Sequence, residues 1–215
     1  NSLEDAKITA YHIGFVLGPC INASGRLDTA ARSLALLNAK TKEEAARLAG
    51  DLTALNQSRK ALTEKGKEEA IRIIETTELK NDRVLVVYLP DCHESLAGII
   101  AGRIREKYHR PAFVLTGGET STKGSGRSIE SYSMYEELVK CADLMIQFGG
   151  HPMAAGLSIE EKNIEEFRRR LNVNCTLTDE ELRPKIVIDV PMPVSYITKE
   201  LVEQISLLEP FGKGN

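Results

Sequence analysis

The residues best suited to binding chemistry lie in three short segments rich in glycine, serine, histidine and arginine. In the most distinctive one, Gly149 and Gly150 can adopt positive φ, and successive backbone N–H groups of such a pair can bind one anion. His151 follows them and adds a ring donor. The pattern favours a phosphate or carboxylate site, but a glycine turn before a buried strand, with His151 as an ordinary loop residue, explains it equally well.

In the second segment, Gly124 and Gly126 alternate with Ser125 and Arg127, and Ser128 follows. Glycines at alternate strand positions remove the side chains from one face, which makes sense where a ligand or another backbone lies against the sheet. Arg127 would project beside that cleared surface, where its planar guanidinium can hold a phosphate with two hydrogen bonds. We therefore predict a phosphate contact at Arg127.

The third segment follows a predicted strand at residues 84–89, where His93 precedes a helix that carries Arg103. Loops at the carboxyl ends of buried strands commonly hold ligands, so His93 is a site candidate. Further upstream, Asn22 and Arg26 offer donors in a segment, residues 18–26, that we predict to be a loop. A salt bridge at a helix edge is an equally good role for Arg26.

Hydrophobic periodicity predicts the elements that position these residues. Thr41 and Glu44 form a capping box, after which apolar residues recur at helical spacing for more than 30 residues. Further helices are predicted at residues 96–108, from Ser133 through Ile146, around residues 164–171 and at residues 201–208. Strands are predicted at residues 84–89, 112–115, 123–128, 155–159 and 184–190. Strands that alternate with helices in this way indicate an α/β fold.

Composition limits the classes of protein that this chain can belong to. Its 215 residues have a net charge of −3, which argues against a uniformly basic nucleic-acid binder. Basic clusters at residues 103–107 and 168–170 indicate either a local binding groove or solvated helix faces. The four cysteines lack metal-site spacing, so we expect free thiols. With no apolar run of membrane-spanning length and no signal-peptide pattern, we expect a cytoplasmic protein without membrane contact.

Taken together, the three segments resemble the DHH-associated domain of the DHH phosphoesterases. The resemblance rests on His93 with its helix, on residues 124–128, and on residues 149–151 with the following Ala154, Ala155 and Gly156. Residues 18–28, 55–60 and 208–215 narrow it to the bacterial single-strand-specific exonucleases of that superfamily. It covers nearly the whole chain and implies an α/β fold, with a mixed β-sheet flanked by helices after a long connecting helix.

The resemblance also implies a division of the chain. Residues 1–40 would be the tail of a catalytic DHH domain, residues 41–77 the connecting helix, residues 78–172 the DHH-associated domain and residues 183–215 the truncated start of an OB-type nucleic-acid-binding domain. The implied activity is that of a single-stranded-DNA-specific 5′-to-3′ exonuclease, a hydrolase of DNA repair and recombination. This segment would supply the substrate-binding wall of the cleft.

The substrate- and phosphate-binding residues that the resemblance implies come from all these segments: Asn22, Arg26, His93, Arg103, Gly124, Ser125, Gly126, Arg127, Ser128, Gly149, Gly150 and His151. The cofactor would be Mn²⁺ or Mg²⁺. Its ligands lie upstream in the family, and the aspartates here are scattered, so we expect no metal site, no catalytic residue and no activity from this segment alone. The implied partner is single-stranded DNA, with a single-strand-binding protein and a helicase as further candidates.

Two other functions remain open: an enzyme that shares the glycine–histidine signature, and a pure binding module or helix-borne scaffold. One is a DHH phosphodiesterase of oligoribonucleotides or cyclic dinucleotides, against which residues 55–60 and 210–212 weigh. The other is a tRNA-binding module similar to that of alanyl-tRNA synthetases. Comparing the binding of single-stranded DNA, tRNA and cyclic dinucleotides would separate the three functions.

Overall fold

The computed structural model describes residues 7–118 and 120–211. The chain forms two compact units, one containing residues 57–184 and the other containing residues up to Asn56 together with those from Lys185 onward. The limits that we predicted for four domains remain predictions. Within the described residues, no helix is both long enough and apolar enough to cross a membrane.

The unit of residues 57–184 is built on one five-stranded mixed sheet. Its strands are β1 (Leu85–Leu89), β2 (Ala112–Thr116), β3 (Thr122–Arg127), β4 (Met145–His151) and β5 (Ala154–Ile159). Their order in the sheet is β1-β2-β3-β5-β4. The β1 and β2 strands are parallel, as the crossover through helix α4 (Glu94–Tyr108) requires, and all other neighbours are antiparallel. The predicted α/β fold with a mixed sheet is confirmed.

Hydrophobic side chains cover the two faces of this sheet differently. On one face, helices α5 (Met134–Val139) and α6 (Ile164–Asn174) contribute to a core in which the Phe113 and Phe167 rings meet edge to face, with centroids 5.4 Å apart. On the other face, α4 packs on β2 and β3 and buries Leu96, Ile100 and Ile104. The part of that face formed by β5 and β4 leaves Gly149 and Gly156 exposed.

The predicted long helix is present as α3 (Lys42–Thr76), whose 35 residues correspond to about 50 Å at 1.5 Å per residue. One half of the predicted capping box forms, because the backbone N–H of Glu44 donates to Oγ1 of Thr41 at 3.2 Å, whereas the Glu44 carboxylate accepts from the N–H of Lys40 at 3.1 Å and not from that of Thr41. Near its carboxyl end, α3 buries Ala70 and Ile74.

The helix predicted from Ser133 through Ile146 is wrong in its second half. Helix α5 ends at Val139, a 3₁₀ turn covers Ala142–Leu144, and Met145 begins β4. Apolar residues here recur at helical spacing, but Ile146 to His151 lie in a strand that pairs with β5. The hydrogen-bond ladder with β5 overrides the local pattern, as tertiary context often does.

In the other unit, the predicted loop at residues 18–26 is helical. A π-helical stretch, His12–Leu17, leads into α1 (Gly18–Leu27), which is followed by α2 (Ala31–Leu37). Pro19 lies in the first turn of α1, directly after the π-helical stretch, so the helical path continues through the proline that we expected to interrupt it. The Ser24 and Ser33 hydroxyls, 2.7 Å apart, join the two helices.

The strand predicted at residues 184–190 does not form. Ile186 is 89% exposed and Val187 80% exposed. Among the described residues of this unit no other strand offers them backbone partners, and a strand is stable only when its N–H and C=O groups are paired in a ladder. Beyond it lie a 3₁₀ turn, Val194–Tyr196, and the predicted helix, which is present as α7 (Lys199–Ser206).

Candidate functional site

On the sheet face that α4 only partly covers, strands β3, β5 and β4 carry small and cationic side chains, which are arranged in rows across the strands. Cross-strand partners share a face, so the ladder of β3, β5 and β4 defines three parallel rows. The rows are Lys123–Ser158–Gln147, Ser125–Gly156–Gly149 and Arg127–Ala154–His151. The middle row has a single side chain, that of Ser125, between the two rows that carry cations and hydrogen-bonding groups.

Arg127 is held against the first half of α4. Its Nη1 donates to the carbonyl oxygen of Gly126 at 2.7 Å and to Oγ of Ser125 at 3.2 Å. A Cβ on Gly98 would lie 2.7 Å from Nη2 of Arg127 and 2.9 Å from Ser125 Oγ. Gly98 therefore makes room for the guanidinium, which fixes the place at which Arg127 can meet an anion.

Gly124 and Gly126 do not clear the surface beside Arg127, contrary to our expectation. Both face the hydrophobic core, where a Cβ on Gly124 would strike Leu115 and one on Gly126 would lie 2.7 Å from the Phe113 ring. They are glycines because large core side chains fill the space above them. Arg127, Ser125 and Lys123 project from the opposite face of β3.

Gly149, Gly150 and His151 lie in β4 rather than in a glycine turn, and only Gly150 among the described glycines has positive φ, at 154°. A nest of two adjacent positive-φ glycines is therefore not formed. Gly150 has to be glycine, since a Cβ there would strike the backbone of β5. His151 ends the strand, and its Nδ1 accepts from the N–H of Met153 at 3.3 Å, so this ring nitrogen stabilises the hairpin turn.

His93 lies between β1 and α4, as predicted, and it is the N-cap residue of α4. Its Nδ1 accepts from the N–H of Ser95 at 3.3 Å and lies 2.8 Å from Ser95 Oγ. This capping fixes the ring and leaves it exposed at a helix N-terminus, which favours anions. Burial raises the pKa of the neighbouring Cys92 thiol, which disfavours a nucleophilic thiolate there.

Of the other four predicted residues, two have hydrogen-bond partners within the same unit as the sheet and two belong to the other unit. Ser128 is 1% exposed, and its hydroxyl donates to the carbonyl oxygen of Tyr132. It therefore stabilises the loop between these two residues and is not accessible to a ligand. Arg103 on α4 donates to the Glu106 carboxylate at 3.0 Å. Asn22 and Arg26 belong to α1 in the other unit, where Asn22 is exposed.

Sequence reasoning missed the residues that line a cleft of about 560 Å³ beside the middle row. They come from the start of α4 and from β3, β4 and β5, and they include Glu94, Ser95, Lys123, Gln147, Gly156 and Ser158. Lys123 reaches across to donate to Ser158 Oγ at 3.0 Å. The strand alternation that placed Arg127 on one face places Lys123 there too, because the two residues are four positions apart.

The basic cluster at residues 168–170 is paired with neighbouring carboxylates. Arg168 binds Asp82 at 2.6 Å, and Arg170 binds both Asp143 and Glu166. Arg169 also binds Glu166, and bonds from these two arginines lower the pKa of the Glu166 carboxyl to about 2. The run at residues 168–170 is therefore an ion-paired helix face and not a binding groove.

The described residues do not fit a divalent metal. Across residues 7–118 and 120–211, no group of three or more histidine, cysteine, aspartate or glutamate side chains converges. Mn²⁺ and Mg²⁺ are held by several oxygen or imidazole ligands, so this part of the chain provides no such site. What the face can do is bind anions and hydrogen-bond a ligand.

Comparison with known proteins identifies this architecture. The DHHA1 domain family matches residues 81–175, the unit that carries the sheet. The single-stranded-DNA-specific exonuclease RecJ of Salmonella typhimurium is 37% identical over 99% of this chain and 39% of its own length. RecJ of Dickeya dadantii is 42% identical over the same shares. Nearly the whole chain is thus similar to one part of RecJ, and residues 81–175 to the DHHA1 domain.

Solved structures agree with this assignment. The crystal structure of RecJ from Thermus thermophilus in complex with Mg²⁺ superposes with a TM-score of 0.81 at 30% identity, covering 96% of this chain and 32% of that one. The same protein with Mn²⁺ gives a TM-score of 0.80. The chain therefore spans well under half the length of its RecJ relatives, and the divalent ions in those structures belong to proteins about three times longer.

Proposed function

We propose that the DHHA1 unit of this chain binds the sugar-phosphate backbone of single-stranded DNA and acts as the substrate-binding surface of a RecJ-type exonuclease. The observation that carries the proposal is the row of Arg127, Ala154 and His151 beside the side-chain-poor middle row. A guanidinium held in a fixed orientation at an open surface is well suited to bidentate phosphate binding.

The charge distribution supports the same site. In the described part of α6, Arg168, Arg169 and Arg170 are all engaged by carboxylates. Lys123 and Arg127 project from the same face of β3, and two cations on one face favour an anionic ligand.

The 5′-to-3′ hydrolysis, the use of Mn²⁺ or Mg²⁺, and the roles of a single-strand-binding protein and a helicase are proposed for the whole protein. They are supported by the similarity to proteins named single-stranded-DNA-specific exonuclease and to RecJ structures that contain these ions. A role in the cytoplasm, in DNA repair and recombination, is proposed on the same basis.

Titration of a fluorescent, 5′-phosphorylated oligothymidylate at low salt tests the binding proposal. Arg127→Ala should weaken binding by at least about tenfold, because a charge-assisted phosphate contact contributes roughly 1.5–3 kcal/mol. It should also make the salt dependence shallower, since one phosphate contact fewer releases fewer counterions.

The matched control is Arg169→Ala, which removes an exposed arginine whose partner is Glu166. It should leave both the affinity and the salt slope close to those of the unmodified chain. Equal losses in the two variants would mean that DNA responds to net charge alone, and an unchanged affinity for Arg127→Ala would overturn the proposed site.

A further inference from the structure

Ser128, which we expected to contact the ligand, is instead buried in the loop between β3 and α5, residues 128–133. Its hydroxyl donates to the carbonyl oxygen of Tyr132, and the N–H of Tyr132 donates to the carbonyl oxygen of Ile129 at 3.2 Å. Tyr132 and Ile129 are buried as well. The buried Ser128 hydroxyl therefore gives the loop one fixed shape, because opening the loop would leave a polar group without a partner.

This β3–α5 loop holds the turn between β4 and β5. The N–H of Ser128 donates to the carbonyl oxygen of Met153 at 2.9 Å, and the N–H of Met134, the first residue of α5, donates to that of Pro152 at 3.0 Å. Pro152 and Met153 are the two residues that connect β4 to β5. Both carbonyl groups of the turn are thus fixed by backbone donors at the two ends of the loop.

The turn fixes the imidazole of His151 in its place. The N–H of Met153 donates to Nδ1 of His151 at 3.3 Å. A ring nitrogen that accepts this bond cannot carry a proton, so the neutral imidazole carries its proton on Nε2. The ring is exposed, and its Nε2–H is the group that can donate to a ligand. A histidine without such a partner could present either nitrogen.

We propose that Ser128 is a positioning residue for the phosphate site, because it holds the β4–β5 turn so that His151 presents its Nε2–H in the same row as Arg127. This role rests on the proposed function, in which the row of Arg127 and His151 meets the DNA backbone. Ser128 directly follows Arg127 in the chain, so its bond to Met153 also joins the two ends of the row. A change at Ser128 would therefore affect the ligand through His151, without any contact of its own.

Nitrogen NMR of the histidine rings tests the orientation without DNA. At about pH 8.5, above the range in which histidine ordinarily takes up a second proton, His151 should be in the Nε2–H form. Its signals are assigned by their absence in His151→Asn. In Ser128→Ala the Nδ1–H form should become detectable, because the released turn no longer holds Nδ1. Ser131→Ala, at an exposed serine of the same loop, is the matched control and should leave the His151 signals unchanged.

Titration of the 215-residue chain with 5′-phosphorylated oligothymidylate at low salt tests the consequence for binding. His151→Ala should weaken binding by at least about tenfold, as expected for a hydrogen bond to a charged oxygen. Ser128→Ala should weaken it by about threefold to tenfold, since the freed ring still visits the correct orientation. When Ser128→Ala is combined with His151→Ala, the loss should equal that of His151→Ala alone, because both act on one contact. Combined with Arg127→Ala, it should add.

Thermal unfolding separates the positioning role from a general loss of structure. His151→Asn keeps an acceptor near the place of Nδ1 but has no group at the place of Nε2. It should therefore unfold at the temperature of the unmodified chain while it binds as weakly as His151→Ala. Ser128→Cys, whose thiol is a weaker donor of similar size, should give a smaller loss of affinity than Ser128→Ala, and it takes the place of that variant if the alanine does not fold.

The outcomes separate this role from the proposed function. The Nδ1–H form of His151 in the unmodified chain, or losses that add for Ser128 and His151, would overturn the positioning role while leaving phosphate binding at Arg127 intact. Unchanged binding by folded variants of Ser128 would do the same. No binding of the oligothymidylate by the unmodified chain at low salt would refute the proposed function, and the positioning role with it.

Discussion

At the residue scale, the guanidinium of Arg127 owes its position to a missing side chain on another element. Gly98 on α4 faces Nη2 of Arg127, and a Cβ there would come within 2.7 Å of it. The atom that would be displaced is the tip of a flexible side chain, so a methyl group should move the guanidinium without disturbing the backbone. Gly98 is therefore a positioning residue for the proposed phosphate contact.

Gly98→Ala should lower the affinity for single-stranded DNA by several-fold, up to the roughly tenfold loss expected for Arg127→Ala. Its unfolding temperature should not fall, because alanine is the better helix former. The affinity is measured by fluorescence titration and the stability by thermal melting. In the Gly98→Ala, Arg127→Ala double variant the two effects should not add, since both act on one contact.

Gly102→Ala is the control on the same helix. A Cβ at Gly102 would touch Arg127 only at Cγ, 4.0 Å away, which is ordinary van der Waals contact. Binding by this variant should match that of the unmodified chain. If Gly102→Ala weakened binding as much as Gly98→Ala does, a general change in the packing of α4 would be responsible, and the positioning role would be wrong.

At the scale of elements, Asn172 joins α6 to the beginning of β1. Its Oδ1 accepts from the backbone N–H groups of Arg83 and Val84 at 2.9 and 3.0 Å, and its Nδ2 donates to the Val84 carbonyl oxygen at 3.0 Å. Val84 is fully buried, so water cannot replace these bonds without disturbing the core. The Asn172 side chain thus satisfies the backbone hydrogen-bonding groups of Arg83 and Val84 next to the start of β1.

We expect Asn172→Ala to lower the free energy of unfolding by about 2–4 kcal/mol, because it leaves two backbone donors without an acceptor and each costs about 1–3 kcal/mol. Urea unfolding followed by circular dichroism measures the change. Val173→Ala, at a neighbouring side chain that is 70% exposed, should change stability little. A similar, small effect of both substitutions would show that Asn172 does not hold the strand.

Ion pairs on helix α6 should make the stability of the DHHA1 domain depend on pH in the acidic range. Hydrogen bonds from Arg169 and Arg170 lower the pKa of Glu166 from its ordinary value of 4.5 to about 2 in the folded chain. A carboxyl group whose pKa is lower in the folded state stabilises the fold above its unfolded pKa and loses this contribution as the pH falls through the folded pKa. The loss should therefore occur between about pH 4.5 and pH 2.

Melting temperatures measured from pH 7 to pH 2 test this linkage. Glu166→Gln should flatten the decline below pH 4.5, because glutamine has no proton to take up. Glu180→Gln removes an exposed carboxylate outside the arginine cluster and should leave the decline unchanged. Parallel curves for Glu166→Gln and the unmodified chain would contradict the role of these bonds in acid stability.

The sequence predicted an element correctly where the contacts that stabilise this element are local in the chain. The long helix α3, with its Thr41–Glu44 cap, was predictable because its bonds are local. The change from helix to strand before β4 was not, because the β5 partner lies beyond it in the chain. The opposite error occurred at residues 184–190, where strand-forming residues have no partner strand among the described residues of their unit.

The candidate site was also predicted only where local patterns determine it. Alternation along β3 correctly grouped Ser125 with Arg127, but the sequence could not show which face of the strand meets the core. The core turned out to lie over Gly124 and Gly126, and the open face over Lys123 and Arg127. The opposed pair of Gly149 and Gly156 depends on strand register, which no local pattern displays.

At the scale of the whole molecule, nucleic-acid binding and hydrolysis should be separable. We propose that the face around Arg127 holds DNA, whereas the described residues bring no cluster of metal ligands together. Incubation of the 215-residue chain with Mn²⁺ and 5′-phosphorylated single-stranded DNA should therefore leave the DNA intact on a denaturing gel, although the same chain retards it on a native gel. Metal-dependent digestion by the pure chain, abolished by a chelator, would contradict this expectation.

The place of β4 at the edge of the sheet has one more consequence, for solubility. An edge strand offers its outer N–H and C=O groups as a template on which another molecule could extend the sheet, a common route to aggregation. The β4 strand contains an irregularity in its register between Met145 and Gln147 and two consecutive glycines near its end, both of which make it a poor template. The exposed Gly149 thus protects the protein from intermolecular strand pairing, and a β-branched residue in its place would promote self-association.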